Sequence, residues 1–333
     1  GGPFEIGEAE VWGNPLRVYV NAPASLRDVW LSTEVHGDAV FLAYEDERIT
    51  YREAHANVRR LADLLHRSGV RKGDRVAIGM RNYPEWPIAF WAIQSLGAVV
   101  VSLNAWWTAS ELEYGLTDSG TAALIVDDER YERLRGDVLS RVPIELVLVA
   151  RQQGALDNGH VRWSDVMASP DPGTPPEVEI GPDDDSTILY TSGTTGFPKG
   201  AVGSQRNHIT NVTNTLLGGA IAAVMAPPQP PDAPLPTPGR GVALWTFPYF
   251  HIAGVTGICV FTATGGELIT QYKFDAASAL DLIERERVTA IAGVPTVVRA
   301  LLDEAATGDR DLSSLAGISQ GGSPVPPYNI AKI

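Results

Sequence analysis

Tyr190-Thr191-Ser192-Gly193-Thr194-Thr195-Gly196-Phe197-Pro198-Lys199-Gly200 is the stretch on which the reading of this chain turns. It follows directly on residues 186–190, a run with strand character, and so carries the chain from a strand into a loop of glycines and hydroxyls. Glycine lets the backbone turn tightly and present its N–H groups, Ser and Thr add hydroxyl donors, and lysine supplies a mobile positive charge. Together they make a phosphate cradle. It is not a Walker A loop, because Pro198 stands before Lys199 where that motif needs glycine, which argues against a kinase-like P-loop enzyme. On composition alone the plain alternative is a Gly/Thr-rich surface loop with a locally hydrogen-bonded lysine. The small side chains pack little, so the order of the loop is expected to come from phosphate contacts.

Outward from this loop, short β-branched strands alternate with amphipathic helices. Residues 39–44 and 48–51 flank the turn Glu45-Asp46-Glu47 and read as a hairpin. Thr50 with Glu53 forms a capping box, and Ala54, Val58, Leu61, Ala62 and Leu65 keep the spacing of one buried helical face, which Gly69 ends. Strands follow at 75–80, 98–103, 122–126 and 145–149, separated by helices, one of them at 84–96 and one opened by the capping box Thr108 and Glu111. After residue 185 the alternation resumes with strands at 186–190, 241–246, 267–271, 289–292 and 315–319 and helices at 275–287 and 295–306. The pattern predicts an α/β fold with two mostly parallel sheets sandwiched by helices. Residues 170–185, rich in Pro, Gly and Asp, read as the linker between a subdomain at 1–170 and a second at 171–333. The proline-dense run 227–238 is incompatible with helix or strand and reads as a surface loop.

Composition narrows the function. Of the 333 residues, 26 are basic and 40 acidic, a formal charge of −14, which repels nucleic-acid backbones and anionic lipid alike. Nucleotides stay admissible, because loops and helix ends hold them locally. The single cysteine, Cys259, sits in an apolar run and reads as buried and structural, which fits a reducing, cytoplasmic compartment. The longest apolar stretch, 216–226, is too short to span a bilayer, which needs about 20 residues, so at most a peripheral membrane contact is left open. The first six residues have neither the basic region nor the apolar core of a signal peptide.

Residues 190–200 resemble the phosphate-loop signature of the adenylate-forming enzymes: acyl-CoA synthetases, 4-coumarate–CoA ligases, firefly luciferase and peptide-synthetase adenylation domains. Further blocks resemble that family in its order: Ile49-Thr50-Tyr51-Arg52-Glu53, the run 69–77, Gly97-Ala98-Val99 leading to Leu103-Asn104, Phe247-Pro248-Tyr249-Phe250-His251, Gly293-Val294-Pro295-Thr296 and Gly321-Gly322-Ser323-Pro324. The resemblance implies an acid–CoA ligase with a fatty or other hydrophobic acid as substrate. ATP activates the acid as acyl-adenylate, with Mg²⁺ sharing the charge, and CoA takes the acyl group as a thioester. It implies that Thr191, Ser192, Gly193, Thr194, Thr195, Gly196 and Lys199 hold the departing phosphates, with Lys199, Thr194 and His251 acting in catalysis. Gly321, Gly322 and Ser323 would line the adenine, and His251 the acyl pocket, where the residue alone also reads as a core histidine. Trp106 and Trp107 read as packing residues and His208 as a weak candidate near a helix start. Gln205 stands where the family often has histidine. The family's later segments, including its Mg²⁺-binding glutamate and its C-terminal lid domain with the adenylation lysine, do not occur in these 333 residues, and no protein side chain is assigned to metal. Two alternatives stay open: an acyl-AMP ligase loading an acyl carrier protein, and a non-catalytic nucleotide-binding relative. The glycines at 193 and 196 favour the CoA ligase over the former.

Overall fold

The computed structural model describes residues 1–191, 196–225 and 240–332. The expected surface loop at 227–238 lies outside them. The chain begins with a hairpin, β1 (Ile6–Val11) and β2 (Asn14–Tyr19), then helix α1 (Leu26–Ser32), a second hairpin of β3 (Val40–Tyr44) and β4 (Glu47–Thr50), and helix α2 (Tyr51–Arg67). Alternation follows: β5 (Arg75–Gly79), α3 (Glu85–Ser95), β6 (Val99–Ser102), α4 (Ala109–Asp118), β7 (Ala123–Asp127), α5 (Asp128–Leu134), α6 (Asp137–Arg141), β8 (Leu146–Ala150), β9 (Val161–Arg162) and α7 (Trp163–Met167). Next come the hairpin β10 (Asp185–Thr191) and β11 (Lys199–Ser204), then α8 (Gln205–Met225), β12 (Val242–Trp245) and α9 (Ile252–Ala263). The last described elements are β13 (Glu267–Thr270), α10 (Ala276–Arg285), β14 (Ala290–Gly293), α11 (Pro295–Ala305), β15 (Gly317–Gln320) and α12 (Pro327–Lys332).

Local chemistry sets the ends of these elements. Thr50 Oγ1 accepts from the Glu53 N–H while the Glu53 carboxylate accepts from the Thr50 N–H, and Thr108 with Glu111 repeats the device. Gly69, at φ +97, takes the left-handed turn that ends α2. The buried positions of α2 are the predicted stripe with Tyr51 and His55 added.

Two sheets form. One runs β11-β10-β6-β5-β7-β8-β9 and the other β15-β14-β12-β13-β3-β4. Each is parallel except for an antiparallel edge hairpin, β10–β11 in the first and β3–β4 in the second. Strand alternation divides the core. Val76 and Ile78 face α3 and the central cluster, whereas Ala77 faces the cluster that α4 to α6 complete. Leu42 and Leu268 likewise point inward, and Ala43 and Ile269 outward onto α10 and α11. Helix α3 has all positions from Trp86 to Ser95 buried, as a helix apolar on every side must be.

The division expected at residue 170 does not separate the sheets. β3 and β4 come from before it yet complete the second sheet, and β10 and β11 come from after it yet edge the first. Hydrophobic periodicity reports that a strand is buried but carries nothing about which sheet receives it. The polar stretch 170–185 is tied down along the first sheet: Arg27 reaches the Pro176 carbonyl (2.8 Å), and Lys72 reaches the Glu179 carbonyl (3.0 Å) and the Asp184 carboxylate (2.7 Å).

Candidate active site

In open parallel sheets ligands gather at the carboxyl ends of the strands. Here those ends face a common cleft. A cavity of about 630 Å³ is walled by Ser102 and Asn104 past β6, Leu189 to Thr191 on β10, Ala201 to Gly203 on β11, the first turns of α8, and Phe250 to Ile252. No carboxylate and no fixed cation lines it among the described residues; its walls are apolar side chains with scattered amides and hydroxyls.

Of the two residues that end the β10–β11 hairpin, Thr191 lines this cavity. Thr191 and Lys199 face each other across the β10–β11 hairpin, with Thr191 Oγ1 donating to the Lys199 carbonyl at 3.3 Å, and both residues are exposed. Gly196, at φ +108, adopts backbone that side chains rarely tolerate. Helix α4 fastens both shoulders of the loop. Tyr190 Oη donates to Asp118 (2.8 Å), Tyr114 Oη donates to the Pro198 carbonyl (3.1 Å), and the Tyr114 ring stacks on Phe197 at 5.1 Å. Burial, and then the Asp118 carboxylate, raise the Tyr190 phenol well above its ordinary range, so it remains a donor. Ser192, Gly193, Thr194 and Thr195 lie outside the described residues.

His251 is exposed at the other wall. It caps α9, its Nδ1 accepting from the Ala253 N–H at 3.2 Å, so it is not a core histidine. Gly321, Gly322 and Ser323 follow the end of β15 and are not part of the cavity wall. They neighbour the same turn from the other side: a Cβ on Gly321 would stand 3.9 Å from the Phe247 ring, and the Gly321 N–H donates to the Gly293 carbonyl. Gly322 has φ +87. The structure thus brings Thr191 and His251 to one cavity, sets Lys199 opposite Thr191 on the hairpin, and leaves residues 321–323 out of the cavity wall.

Residues with weak or no signal in the sequence complete the wall. His208, in the first turns of α8, is buried, and its Nε2 shares a 2.9 Å hydrogen bond with Thr187 Oγ1. Desolvation lowers its pKa to about 4, so the ring is neutral at pH 7. Asn207 and Asn211 lie on the same helix and Ser102 ends β6; of these wall residues, His208 stood out in sequence as a weak candidate and Asn104 only within the Leu103-Asn104 block. Gln205 is buried and structural: it accepts from the Leu26 N–H and donates to Gln94, both at 2.8 Å. Trp107 packs as expected, but Trp106 is 55% exposed, because it forms one side of a second, smaller cavity.

That second cavity, about 290 Å³, opens beside the first. Arg81 lies between the rings of Trp106 (5.0 Å) and Tyr272 (4.7 Å), with Lys273 on the rim. Phe250 lines both cavities and meets the Trp106 ring edge-on at 5.0 Å. The turn that carries Phe250 and His251 is therefore the partition between them. Cys259, behind it on α9, is fully buried, and burial raises its thiol far above the ordinary range. Among the described residues no helix is long and apolar enough to cross a membrane.

Comparison with known proteins agrees with this geometry. A feruloyl-CoA synthase from Amycolatopsis sp. is 36% identical over 279 residues, covering 84% of this chain and 50% of that protein. A 4-coumarate–CoA ligase from Oryza sativa subsp. japonica is 31% identical, covering 83% and 48%. The chain spans about half the length of these curated relatives. Among solved structures, a long-chain-fatty-acid–CoA ligase from Archaeoglobus fulgidus superposes with a TM-score of 0.77 at 25% identity, over 93% of this chain and 60% of that one. The AMP-binding enzyme family matches residues 29–332. This chain, with its two mostly parallel sheets, belongs to the AMP-binding enzyme family of adenylate-forming proteins.

Proposed function

We propose that this chain carries the ATP-phosphate and acyl sites of an AMP-forming acid–CoA ligase acting on a hydrophobic carboxylic acid. A carboxylate is a poor acyl donor because its leaving group is oxide. Its oxygen attacks the α-phosphorus of ATP, pyrophosphate leaves, and the acyl group now carries AMP as leaving group. The CoA sulfur then attacks the acyl carbon, AMP departs, and the thiol proton passes to solvent. The first step is governed by positioning and by neutralising the departing phosphates. Lys199, with the N–H and hydroxyl groups of Thr191 to Gly196, serves that purpose, and Thr194 is the hydroxyl assigned to catalysis. Gly321 and Gly322 leave room for the adenine against backbone, with Ser323 beside them. His251 stands where the carboxylate end of the acid reaches the loop.

The observation that carries this reading is the single cavity with the phosphate-loop hairpin on one wall and the aromatic–His turn on the other. Leu189, Val202, Phe250 and Ile252 make it suited to an apolar acid. The names of the relatives, which include ligases of aromatic and of fatty acids, fall in the same class. Among the described residues no group of three His, Cys, Asp or Glu side chains is placed to hold a metal ion, and Mg²⁺ carried on the triphosphate would share the charge of the departing phosphates. Dependence on ATP and CoA and the lone buried thiol suit the cytoplasm. The test is pyrophosphate release by the complete gene product across a panel of aromatic and fatty acids, with and without CoA. Acid-dependent release with CoA-dependent AMP formation is expected. Release without any transfer to CoA points to a carrier-protein acceptor, and no release with any acid ends the reading.

A further inference from the structure

The turn between β12 and α9 has no regular structure to hold it, yet Phe247 and Tyr249 are buried and their backbone groups need partners. They find them on the opposite sheet. Asn82, just past β5 and 9% exposed, donates from Nδ2 to the Phe247 carbonyl at 2.9 Å and accepts at Oδ1 from the Tyr249 N–H at 2.9 Å. A carboxamide presents one donor and one acceptor side by side, so it completes both with one side chain. The clamp is itself braced. Thr270 Oγ1 donates to the Asn82 carbonyl at 3.3 Å, and the neighbouring Arg81 N–H donates to Asp127, which is buried and paired with Arg130. Beyond the clamp, the same five-residue turn delivers Phe250, the partition between the two cavities, and His251.

We infer that Asn82 is a positioning residue for the acyl site: through paired hydrogen bonds to Phe247 and Tyr249 it fixes the turn that sets Phe250 and His251 against the substrate. It lines the smaller cavity and not the larger one, and it acts across sheets at a sequence distance of 165 residues. The inference rests on the reading of that cavity as the acyl site.

The test uses the complete gene product and pyrophosphate release with 4-coumarate and dodecanoate in parallel, comparing Asn82→Ala, His251→Ala, their double variant, and Thr33→Val. Thr33 is buried, hydrogen-bonded to the Trp30 carbonyl and to His55, and lines neither cavity, so its variant reports simple destabilisation. Asn82→Ala is expected to raise the KM for the acid about tenfold while the KM for ATP stays within about twofold. Thr33→Val is expected to lower Tm and leave both KM values unchanged. The double variant is expected to fall no further than the worse single one, because both act through one turn. Should Asn82→Ala not fold, Asn82→Ser keeps a hydroxyl at the site and is read instead. A loss of Tm alone, an equal rise in both KM values, or additive effects in the double variant overturns the inference. An impaired Asn82→Ala beside an unimpaired His251→Ala removes His251 from the acyl site and leaves the clamp acting through Phe250. An impaired His251→Ala beside an Asn82→Ala with normal acid KM removes the clamp and leaves the acyl-site reading intact.

Discussion

The two walls of the cavity are built in opposite ways. On one side the β10–β11 hairpin offers Thr191 and Lys199 at exposed positions, held from behind by Tyr114 and Tyr190 on α4 contacts. On the other side the Phe247–His251 turn buries Phe247 and Tyr249 and is pinned by Asn82 from the opposite sheet. The first wall leaves its polar side chains exposed to solvent. The second turns its polar backbone groups inward, onto Asn82. On the proposed reading the exposed wall would serve the phosphates and the pinned wall would give the acid a preorganised shape.

The largest expected effect tests the rigid wall. A Cβ on Gly254, in the first turn of α9, would stand 2.1 Å from the Pro248 carbonyl oxygen and 2.5 Å from the Tyr249 Cα. Both are backbone and cannot rotate away, so Gly254→Ala is expected to cost roughly 3 kcal/mol of stability and to impair acid use, as read by a melting curve beside acid KM. A stable Gly254→Ala variant with normal kinetics would show that the turn is not tightly held. Lys199→Ala tests the open wall and is expected to slow adenylation about 100-fold with little change in Tm, since the side chain is exposed. Unchanged adenylation and ATP affinity would remove Lys199 from the phosphate site.

Acid sharpens the contrast further. His208 backs the hairpin wall with its pKa lowered to about 4 by burial, whereas the unfolded chain protonates it near its ordinary value of 6.5. The unfolded state therefore binds more protons between these values, so stability is full above about pH 6.5 and falls as pH drops toward 4. At pH 5 the expected loss from this ring is roughly 2 kcal/mol. Buried His55, lowered to about 4 by desolvation first and by Arg59 second, adds with the same sign. Urea unfolding of wild type and His208→Asn at pH 7 and pH 5 isolates the His208 share, and equal pH dependence in the two would refute it. The smallest effect is expected from Tyr114→Phe, which keeps the stacking on Phe197 and loses the hydroxyl that donates to the Pro198 carbonyl and interacts with Asp118. About 1 kcal/mol or less of stability, with a modest rise in the KM for ATP, is the expected result.

Much of the fold was legible in advance because its signals are local. The α2 stripe, the two capping boxes, the stop at Gly69 and the order of strands around them follow from spacing, cap chemistry and backbone freedom within a few residues. Elements without such a signal escaped. Helix α9 is apolar on nearly every side and shows no periodicity, and β11, Lys-Gly-Ala-Val-Gly-Ser, is a strand only because β10 pairs with it. The first hairpin, β1–β2, also lay outside the predicted elements.

For the site, sequence alone determined the chemistry: a loop of glycines, hydroxyls and one lysine after a strand, and a histidine after an aromatic run. Those choices are written in side-chain types and need no neighbours to be read. Only the tertiary structure decided that Thr191, on the first sheet, and His251, sixty residues later in the turn that follows β12 of the second, wall one cavity, that His208 and Thr187 back it, and that Asn82 holds its far side. Such contacts depend on which strand each sheet accepts as its neighbour, here β10 beside β6 and β3 beside β13. That choice is made by packing across the whole core, and no window of sequence contains it.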